Sequence, residues 1–200
     1  DPADGSDIAV VYDDEDLAWL LFEAMYQWDA LPALPDSVRA LGEGRLYSAM
    51  RGLIQDGVES LLDDAVSDAV ASSVDCHDTG PVDLRDAELR LQLYPRTASI
   101  KRFDWQYHAC RYWDSGEASA AFRTPVVAEV PTLLLAGEFD PVTPPEWAEM
   151  TAAHLSEGRL FVFPAVGHGV LDSHHCAADL VRRFLADPGG GRAPKCLDHL

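Results

Sequence analysis

The chain has 200 residues, of which 48% are hydrophobic and 24% charged, a composition that indicates one folded domain, or a domain with an appendage, and excludes a disordered chain. Its formal net charge of -19 argues against binding to nucleic acids or anionic membranes, mildly favours cationic partners, and also serves solubility. No apolar run is long enough to cross a bilayer, and the first residues lack a signal-peptide pattern, so any export signal is expected upstream of Asp1.

The first 70 residues predict helices. Apolar residues recur at helical spacing in two stripes, and four acidic residues precede the first stripe, where they favour the positive end of a helix dipole. The first stripe comprises Leu17, Leu20, Leu21, Ala24, Met25 and Trp28, and the second comprises Leu46, Met50, Leu53, Ile54, Val58, Leu61 and Leu62. Because none of these residues carries chemistry unaided, we interpret residues 1–70 as a helical cap and residues 71–200 as a C-terminal lobe.

The segment that follows the cap is less regular. Residues 69–78 are compatible with either a short extended segment or a fraying helix end. Residues 83–111 follow a helical pattern that Pro95 interrupts, which predicts two helices with a break at the proline.

Two short apolar runs bounded by turn residues predict strands at residues 132–136 and 160–163, each of a kind that is buried in a parallel sheet. Between them, Thr143 is predicted to cap a helix, with Pro144 in its first turn and Glu146 three residues after the cap. A last amphipathic helix is predicted over residues 173–186.

Each predicted strand is followed by a turn that presents one polar side chain, Asp140 in GEFDPV and His168 in PAVGHGV. In open α/β sheets, functional residues lie beyond the carboxyl ends of the strands. A histidine acts as a general base when a carboxylate holds one ring nitrogen and the other nitrogen faces a nucleophile. Asp140 and His168 are therefore the predicted acid and base of a hydrolytic triad.

The remaining histidines lack comparable settings. His174 and His175 are adjacent, but neighbours on a helix are expected to point apart, and no C-x-x-C spacing occurs. We therefore expect no metal site and no cofactor.

The four cysteines are Cys76, Cys110, Cys176 and Cys196, and they permit three complete pairings. Cys176 lies on the last predicted helix, and Cys196 follows a glycine-rich tail that is able to fold back onto it. We predict the pairs Cys176–Cys196 and Cys76–Cys110, which imply an oxidising compartment. The alternative is four buried free thiols in a cytosolic protein.

The stretches VPTLLLAGEFDPVTPPEWAEMTAAHL and FVFPAVGHGVL, with the closing cysteine pair, resemble the C-terminal portion of tripeptidyl-aminopeptidase-like α/β-hydrolases, secreted bacterial serine exopeptidases related to prolyl aminopeptidase. The resemblance is strong from about Val130 onward, weaker over residues 73–113 and weakest over the cap. It implies a partial α/β-hydrolase fold, with C-terminal parallel strands and flanking helices preceded by a helical cap. It also implies that Asp140 is the triad acid and His168 the triad base.

The family's nucleophilic serine lies in a G-x-S-x-G turn, and this motif does not occur in the chain. Ser115 and Ser173 lack both the flanking glycines and a preceding buried strand. The chain thus resembles the cap and last third of an enzyme whose nucleophile lies elsewhere, and we expect it to be inactive alone. We expect its open apolar sheet edge to pair with a missing N-terminal polypeptide or to be buried by self-association.

The resulting hypothesis is the C-terminal portion of a secreted serine aminopeptidase that releases residues or short peptides from peptide substrates. Such enzymes hold the substrate's α-amino group with acidic side chains. Asp78 and Glu138 are the candidates by position and charge, although both are also interpretable as solvated turn acids. Two alternatives stay open: a non-catalytic peptide-binding module or degenerate hydrolase, and a lobe of another α/β-hydrolase such as an esterase or epoxide hydrolase.

Overall fold

The computed structural model describes residues 5–6, 11, 13–26, 30–45, 51–52, 54–55, 58, 67–80, 83–93, 109–190 and 195–196. The chain divides into two compact units, one made of Asp1–Leu20 and Ile54–Thr124 and the other of Leu21–Leu53 and Pro125–Leu200. The division predicted at residue 70 stays a prediction. Within the described residues, no helix has the length and apolar character needed to span a membrane.

The predicted first helix is present as α1, Asp14–Ala24. The carboxylate of Asp13 accepts hydrogen bonds from the N–H groups of Glu15 (2.9 Å) and Asp16 (3.0 Å), which satisfies main-chain donors at the start of the helix. A 3-10 turn, Leu31–Ala33, then leads into α2, Leu34–Gly42. Most of the second predicted stripe lies outside the described residues, so the interpretation of this region as a cap stays a prediction.

The ambiguous segment at residues 69–78 is helical and belongs to α3, Asp68–Thr79. The hydroxyl of Ser67 caps this helix by accepting the N–H of Val70. A shorter helix, α4, follows at Leu84–Leu91 and is capped by the carboxylate of Asp83. The break predicted at Pro95 lies outside the described residues.

Two parallel strands form the sheet. β1 spans Thr132–Gly137 and β2 spans Gly158–Phe163, with Thr132 opposite Gly158 and Gly137 opposite Phe163. The helix α5, Pro145–Ala152, lies between them in the sequence, as a connection between parallel strands requires. Both predicted strands are confirmed, and the described architecture is that of a partial α/β fold.

One edge of β1 is open among the described residues. The N–H of Thr132 bonds the carbonyl of Glu157, and the N–H of Glu138 bonds that of Phe163, so the even-numbered residues of β1 face β2. Leu133 and Leu135 therefore direct their main-chain groups to the opposite edge, where no described strand pairs with them. The leucines of β1 are only half-buried, although their sequence is typical of a fully buried strand.

A short helix, α6, Val170–Ser173, precedes the predicted last helix, which is present as α7, His175–Ala186. His174 separates the two helices because its backbone is extended. Its ring Nδ1 accepts the N–H of Cys176 (3.2 Å) and so caps α7. The hydrophobic core lies between α6, α7 and the β2 exit, and its buried members are Phe163, Val166, Val170, Cys176, Ala177 and Leu180.

Both predicted disulfides are confirmed. Cys76, in α3, is bonded to Cys110, and Cys176, at the start of α7, is bonded to Cys196. No described cysteine is free. Since Cys176 is fully buried and Cys196 packs against the core, the second bond attaches the C-terminal tail directly to the hydrophobic core.

We predict that Cys196→Ser lowers the free energy of unfolding by about 2–4 kcal/mol, because the bond closes a loop in the unfolded chain. The measurement is urea unfolding under non-reducing conditions. Lys195→Ser is the matched control, since it changes the adjacent residue and leaves the bond intact. An unchanged free energy of unfolding in Cys196→Ser would contradict the prediction.

Candidate active site

Asp140 lies in the turn that leaves β1. Its own N–H bonds the carbonyl of Gly137 (3.2 Å), and the preceding turn is tied to the β2 exit by a bond from the Phe139 N–H to the Val166 carbonyl (2.9 Å). The residue is only 8% exposed. A carboxylate in such a place is stable in its charged form only if hydrogen bonds replace the lost water.

The donors that bond the Asp140 carboxylate come first from its own turn. Oδ1 accepts the N–H groups of Val142 and Thr143, each at 2.9 Å, and Oδ2 accepts the hydroxyl of Thr143 at 2.8 Å. The sequence predicted Thr143 as a helix cap, and this is wrong: Pro144 holds the cap position of α5, without a side-chain hydrogen bond. The hydroxyl of Thr143 orients Asp140 instead.

His168 lies in the loop that leaves β2 and reaches Asp140 with its ring. Nδ1 is 3.1 Å from Oδ1 and 3.0 Å from Oδ2 of the carboxylate. The hydrogen bond assigns the proton to Nδ1, since a carboxylate only accepts. That tautomer leaves Nε2 as the acceptor, which is the form a general base needs. The His168 side chain is 36% exposed, against 5% for Asp140, so solvent and ligands reach the histidine.

Burial favours the protonated form of Asp140, but the hydrogen bonds it accepts from Thr143, from Val142 and from the His168 ring outweigh that effect and lower the pKa of this carboxyl below its usual range. Asp140 therefore stays ionised at neutral pH. An ionised partner stabilises the imidazolium that forms when a histidine takes up a proton.

Glycines serve two different purposes in the loops that carry Asp140 and His168. A Cβ on Gly137 would lie 2.1 Å from the carbonyl oxygen of Gly167, so no side chain fits at the β1 exit. Gly169, which follows His168, has φ of 78°, a left-handed conformation that glycine adopts without strain. The sequence motifs did not indicate the close approach at Gly137.

A segment from the end of α1 also reaches this loop. The carbonyl of Met25 accepts the N–H of His168 (3.2 Å), and the ring of Tyr26 packs edge-to-face with the His168 ring, with centroids 5.1 Å apart. Burial, and then the charges of Glu23 and Asp140, raise the pKa of the Tyr26 phenol. No sequence pattern indicates these contacts beyond the place of Met25 on the apolar stripe.

Glu23, one turn before Tyr26, is a half-buried acid that the motif analysis also missed. Burial raises the pKa of its carboxyl. Its side chain makes no hydrogen bond or ion pair with the residues that the structure describes.

The two acids predicted to hold a substrate amine are both engaged by protein groups. Oε2 of Glu138 accepts the N–H of Ala165 (2.8 Å), a residue with φ of 57°, and so joins the β1 exit to the β2 exit. Asp78 belongs to the other unit, where its carboxylate bonds Nδ1 of His77 (2.9 Å). Their proposed role in substrate binding stays a prediction.

The structure differs from the sequence prediction at the adjacent histidines. The rings of His174 and His175 stack with centroids 5.0 Å apart, because His174 is extended and precedes the helix. Among the described residues there is no group of three or more His, Cys, Asp or Glu side chains able to hold a metal ion. The serines considered as nucleophiles bond elsewhere: Ser173 donates to the carbonyl of Gly169 (2.9 Å) and Ser115 to that of Gly116 (3.4 Å).

A family model described as TAP-like protein matches residues 98–195, nearly half of the chain, and this region includes β1, β2, Asp140 and His168. No curated protein and no solved structure matches the chain.

We predict that Thr143→Val lowers the free energy of unfolding at pH 7 by about 1.5–3 kcal/mol, the usual contribution of a hydrogen bond to a charged group. Because the folded-state pKa of Asp140 is depressed, its hydrogen bonds stabilise the fold above the unfolded-state pKa of about 3.9, and this stabilisation is lost as pH falls through the folded-state pKa. The difference between variant and parent should therefore shrink in acid.

Urea unfolding across that pH range is the measurement. Thr151→Val is the matched control, since the Thr151 hydroxyl bonds the neutral carbonyl of Trp147 and its loss has no such pH dependence. A Thr143→Val effect that is constant with pH would disprove the role assigned to its hydroxyl.

Proposed function

Because the C-terminal half of the chain, residues 98–195, belongs to the TAP-like family of α/β-hydrolases, we propose that Asp140 and His168 are the acid and base of a serine hydrolase site. The observation that carries the proposal is the pairing of a buried, ionised carboxylate with Nδ1 of a partly exposed histidine. The site belongs to a peptidase that acts on the amino terminus of peptides.

In this reaction Nε2 of His168 removes the hydroxyl proton of a serine as its oxygen attacks the substrate carbonyl. Asp140 stabilises the resulting imidazolium through Nδ1. The imidazolium then gives its proton to the leaving amine, which breaks the scissile C–N bond and leaves an acyl-enzyme ester. His168 next removes a proton from water, which attacks the ester, and returns a proton to the serine oxygen as the acid product leaves.

We propose that the nucleophile comes from outside these 200 residues, since no G-x-S-x-G motif occurs in them, and that the chain alone is inactive. The open edge of β1 supports this arrangement. Parallel sheets are normally flanked by further strands and covered on both faces, and an apolar strand with a free edge pairs readily with another polypeptide. We propose that the serine-bearing polypeptide adds a strand along Leu133 and Leu135, with self-association as the competing use of the same edge.

The proposed substrate is a peptide with a free amino terminus. The net charge of -19 favours a cationic ligand. Asp78 and Glu138 remain the acids proposed to bind the ammonium group, and Glu23 is added to them because its half-buried carboxylate has no described partner. Its proximity to the site is supported by its position at the end of α1, three residues before Tyr26, whose ring packs against His168.

The protein is proposed to be secreted. Two disulfides are compatible with an extracellular location, where thiols are oxidised. An esterase or epoxide hydrolase remains an alternative within the same family of folds, because the acid–base pair does not determine which bond is cleaved.

A second candidate function, a non-catalytic peptide-binding module, is favoured by an apolar groove of about 650 Å³ beside the start of β1. Trp147 and Met150 of α5 lie on one side of it, and both are exposed. The rest of its lining comprises Pro125, Val126, Ala128, Thr132, Thr151, His154 and Leu155. Calorimetric titration with short peptides separates the two functions, because only such a module binds them without the serine-bearing polypeptide.

We predict that the chain, combined with the serine-bearing polypeptide, hydrolyses peptide p-nitroanilides, and that Asp140→Asn and His168→Gln each lower kcat by about 10³–10⁴-fold. The expected loss reflects the wrong tautomer in the first variant and the missing base in the second. Asp172→Asn and His175→Gln are matched controls at exposed positions and should keep the parent rate. Parent activity in the double variant Asp140→Ala/His168→Ala would rule out the proposed site.

We predict that Leu133→Pro abolishes association through the β1 edge, because proline removes the N–H that faces this edge and leaves the bonds to β2 intact. Leu133→Ala is the control, since it shortens the side chain and keeps the N–H. Size-exclusion chromatography with light scattering measures complex formation with the serine-bearing polypeptide. Equal association by the two variants, or a parent chain that stays monomeric with that polypeptide present, refutes the strand-addition proposal.

A further inference from the structure

The turn that ends α1 contacts the loop of His168 through its main chain. The carbonyl of Met25 accepts the N–H of His168 at 3.2 Å. A Cβ on Gly167 would lie only 2.0 Å from the carbonyl oxygen of Met25, so a residue with a side chain at this position would push the two segments apart. The backbone of the turn therefore has a defined place against the backbone that carries the histidine.

The same turn places an aromatic ring against the imidazole. The rings of Tyr26 and His168 have centroids 5.1 Å apart and planes at 67°, an edge-to-face arrangement. Phe22, one turn earlier on α1, packs on Tyr26 in the same manner, with centroids 5.6 Å apart and planes at 74°. The Tyr26 ring is thus held between a helix residue and the histidine.

The hydrogen bond to Asp140 leaves the orientation of the imidazole incomplete. A bond at Nδ1 limits the two side-chain torsions of His168, but the tolerance of hydrogen-bond distance and angle still lets the ring plane tilt. A second contact on the ring removes this freedom and determines where Nε2 points. Among the described residues, Tyr26 is the aromatic side chain that supplies such a contact.

We propose that Tyr26 is a positioning residue for His168: its ring restrains the plane of the imidazole, so that Nε2 has one direction while Nδ1 bonds Asp140. The proposal rests on the hydrolase function proposed above for the Asp140–His168 pair. The aromatic ring makes the contact that restrains the imidazole. The Tyr26 hydroxyl is not needed for this role, since it has no hydrogen-bond partner among the described residues. Burial and nearby carboxylates raise the pKa of this phenol, so the ring stays neutral beside the pair.

The test uses the 200-residue chain with its disulfides formed and needs no nucleophile, because it observes His168 by NMR. The ring signals of His168 are assigned by their loss in His168→Gln. In the parent we expect cross-peaks between the Tyr26 and His168 ring protons, a ring-current shift of the latter, and a single Nδ1–H tautomer. Tyr26→Phe should keep the shift and the tautomer, whereas Tyr26→Leu should lose the shift and the fixed ring plane and keep the Nδ1–H tautomer that the bond to Asp140 sets. Tyr112→Leu, at a tyrosine that is 90% exposed, is the matched control and should change neither.

The outcomes separate this proposal from the proposed function. A parent without the Asp140-bonded Nδ1–H resonance overturns both. A parent with that resonance, and a Tyr26→Leu variant with unchanged His168 ring signals, overturns only the positioning role. If Tyr26→Leu does not fold, the cross-peaks of the parent decide: their presence, with parent-like signals in Tyr26→Phe, supports the proposal, and their absence overturns it.

Discussion

The local geometry around His168 depends on the hydrogen bonds that the Asp140 carboxylate accepts within its own turn. A buried charge without partners would be neutralised or would disrupt the fold. Here Val142 and Thr143 donate hydrogen bonds to the carboxylate independently of the histidine. The carboxylate is therefore ionised and oriented by local contacts. His168 adds a further donor to a carboxylate that is already in place, which makes Nδ1 of the imidazole the bonded nitrogen and leaves Nε2 free for chemistry.

Main-chain contact is the second constraint on this region, and two glycines make it possible. Gly137 lets the β1 exit touch the carbonyl of Gly167, and Gly167 in turn lets its loop touch the carbonyl of Met25. Three backbone segments thus lie in direct contact, with no side chain between them. A methyl group at either glycine would be too close to a carbonyl oxygen for any ordinary contact, so the backbone of one segment would have to move, and the position of His168 would move with it.

Local signals in the sequence predicted the strands and the turns of Asp140 and His168, because an apolar run followed by a turn residue carries its meaning within a short segment. The disulfides join residues 34 and 20 positions apart, and the Cys176–Cys196 pair was predicted from a helix and a glycine-rich tail able to fold back onto it. Thr143 was misread because T-P-P-E fits a capping box as well as it fits a turn around Asp140, and only coordinates distinguish them. Tyr26 was missed for another reason: its contact with His168 joins segments that are distant in the sequence. Glu23 was missed with it, because its effect is on the pKa of Tyr26. The His174 and His175 rings were wrongly expected to point apart, because His174 is extended and caps α7 instead of lying within a helix.

The residues that orient the acid–base pair all belong to the unit formed by Leu21–Leu53 and Pro125–Leu200. Val142 and Thr143 hold Asp140, and the turn after α1 contacts His168, so the described geometry exists without a nucleophile beside it. A catalytic base that is already oriented loses less conformational entropy when it reacts with its nucleophile. If the proposed serine arrives on another polypeptide, it meets a base whose tautomer is already set. Association along β1 then has to supply only the position of the serine, and the half-buried leucines of that strand provide the apolar area that association would bury.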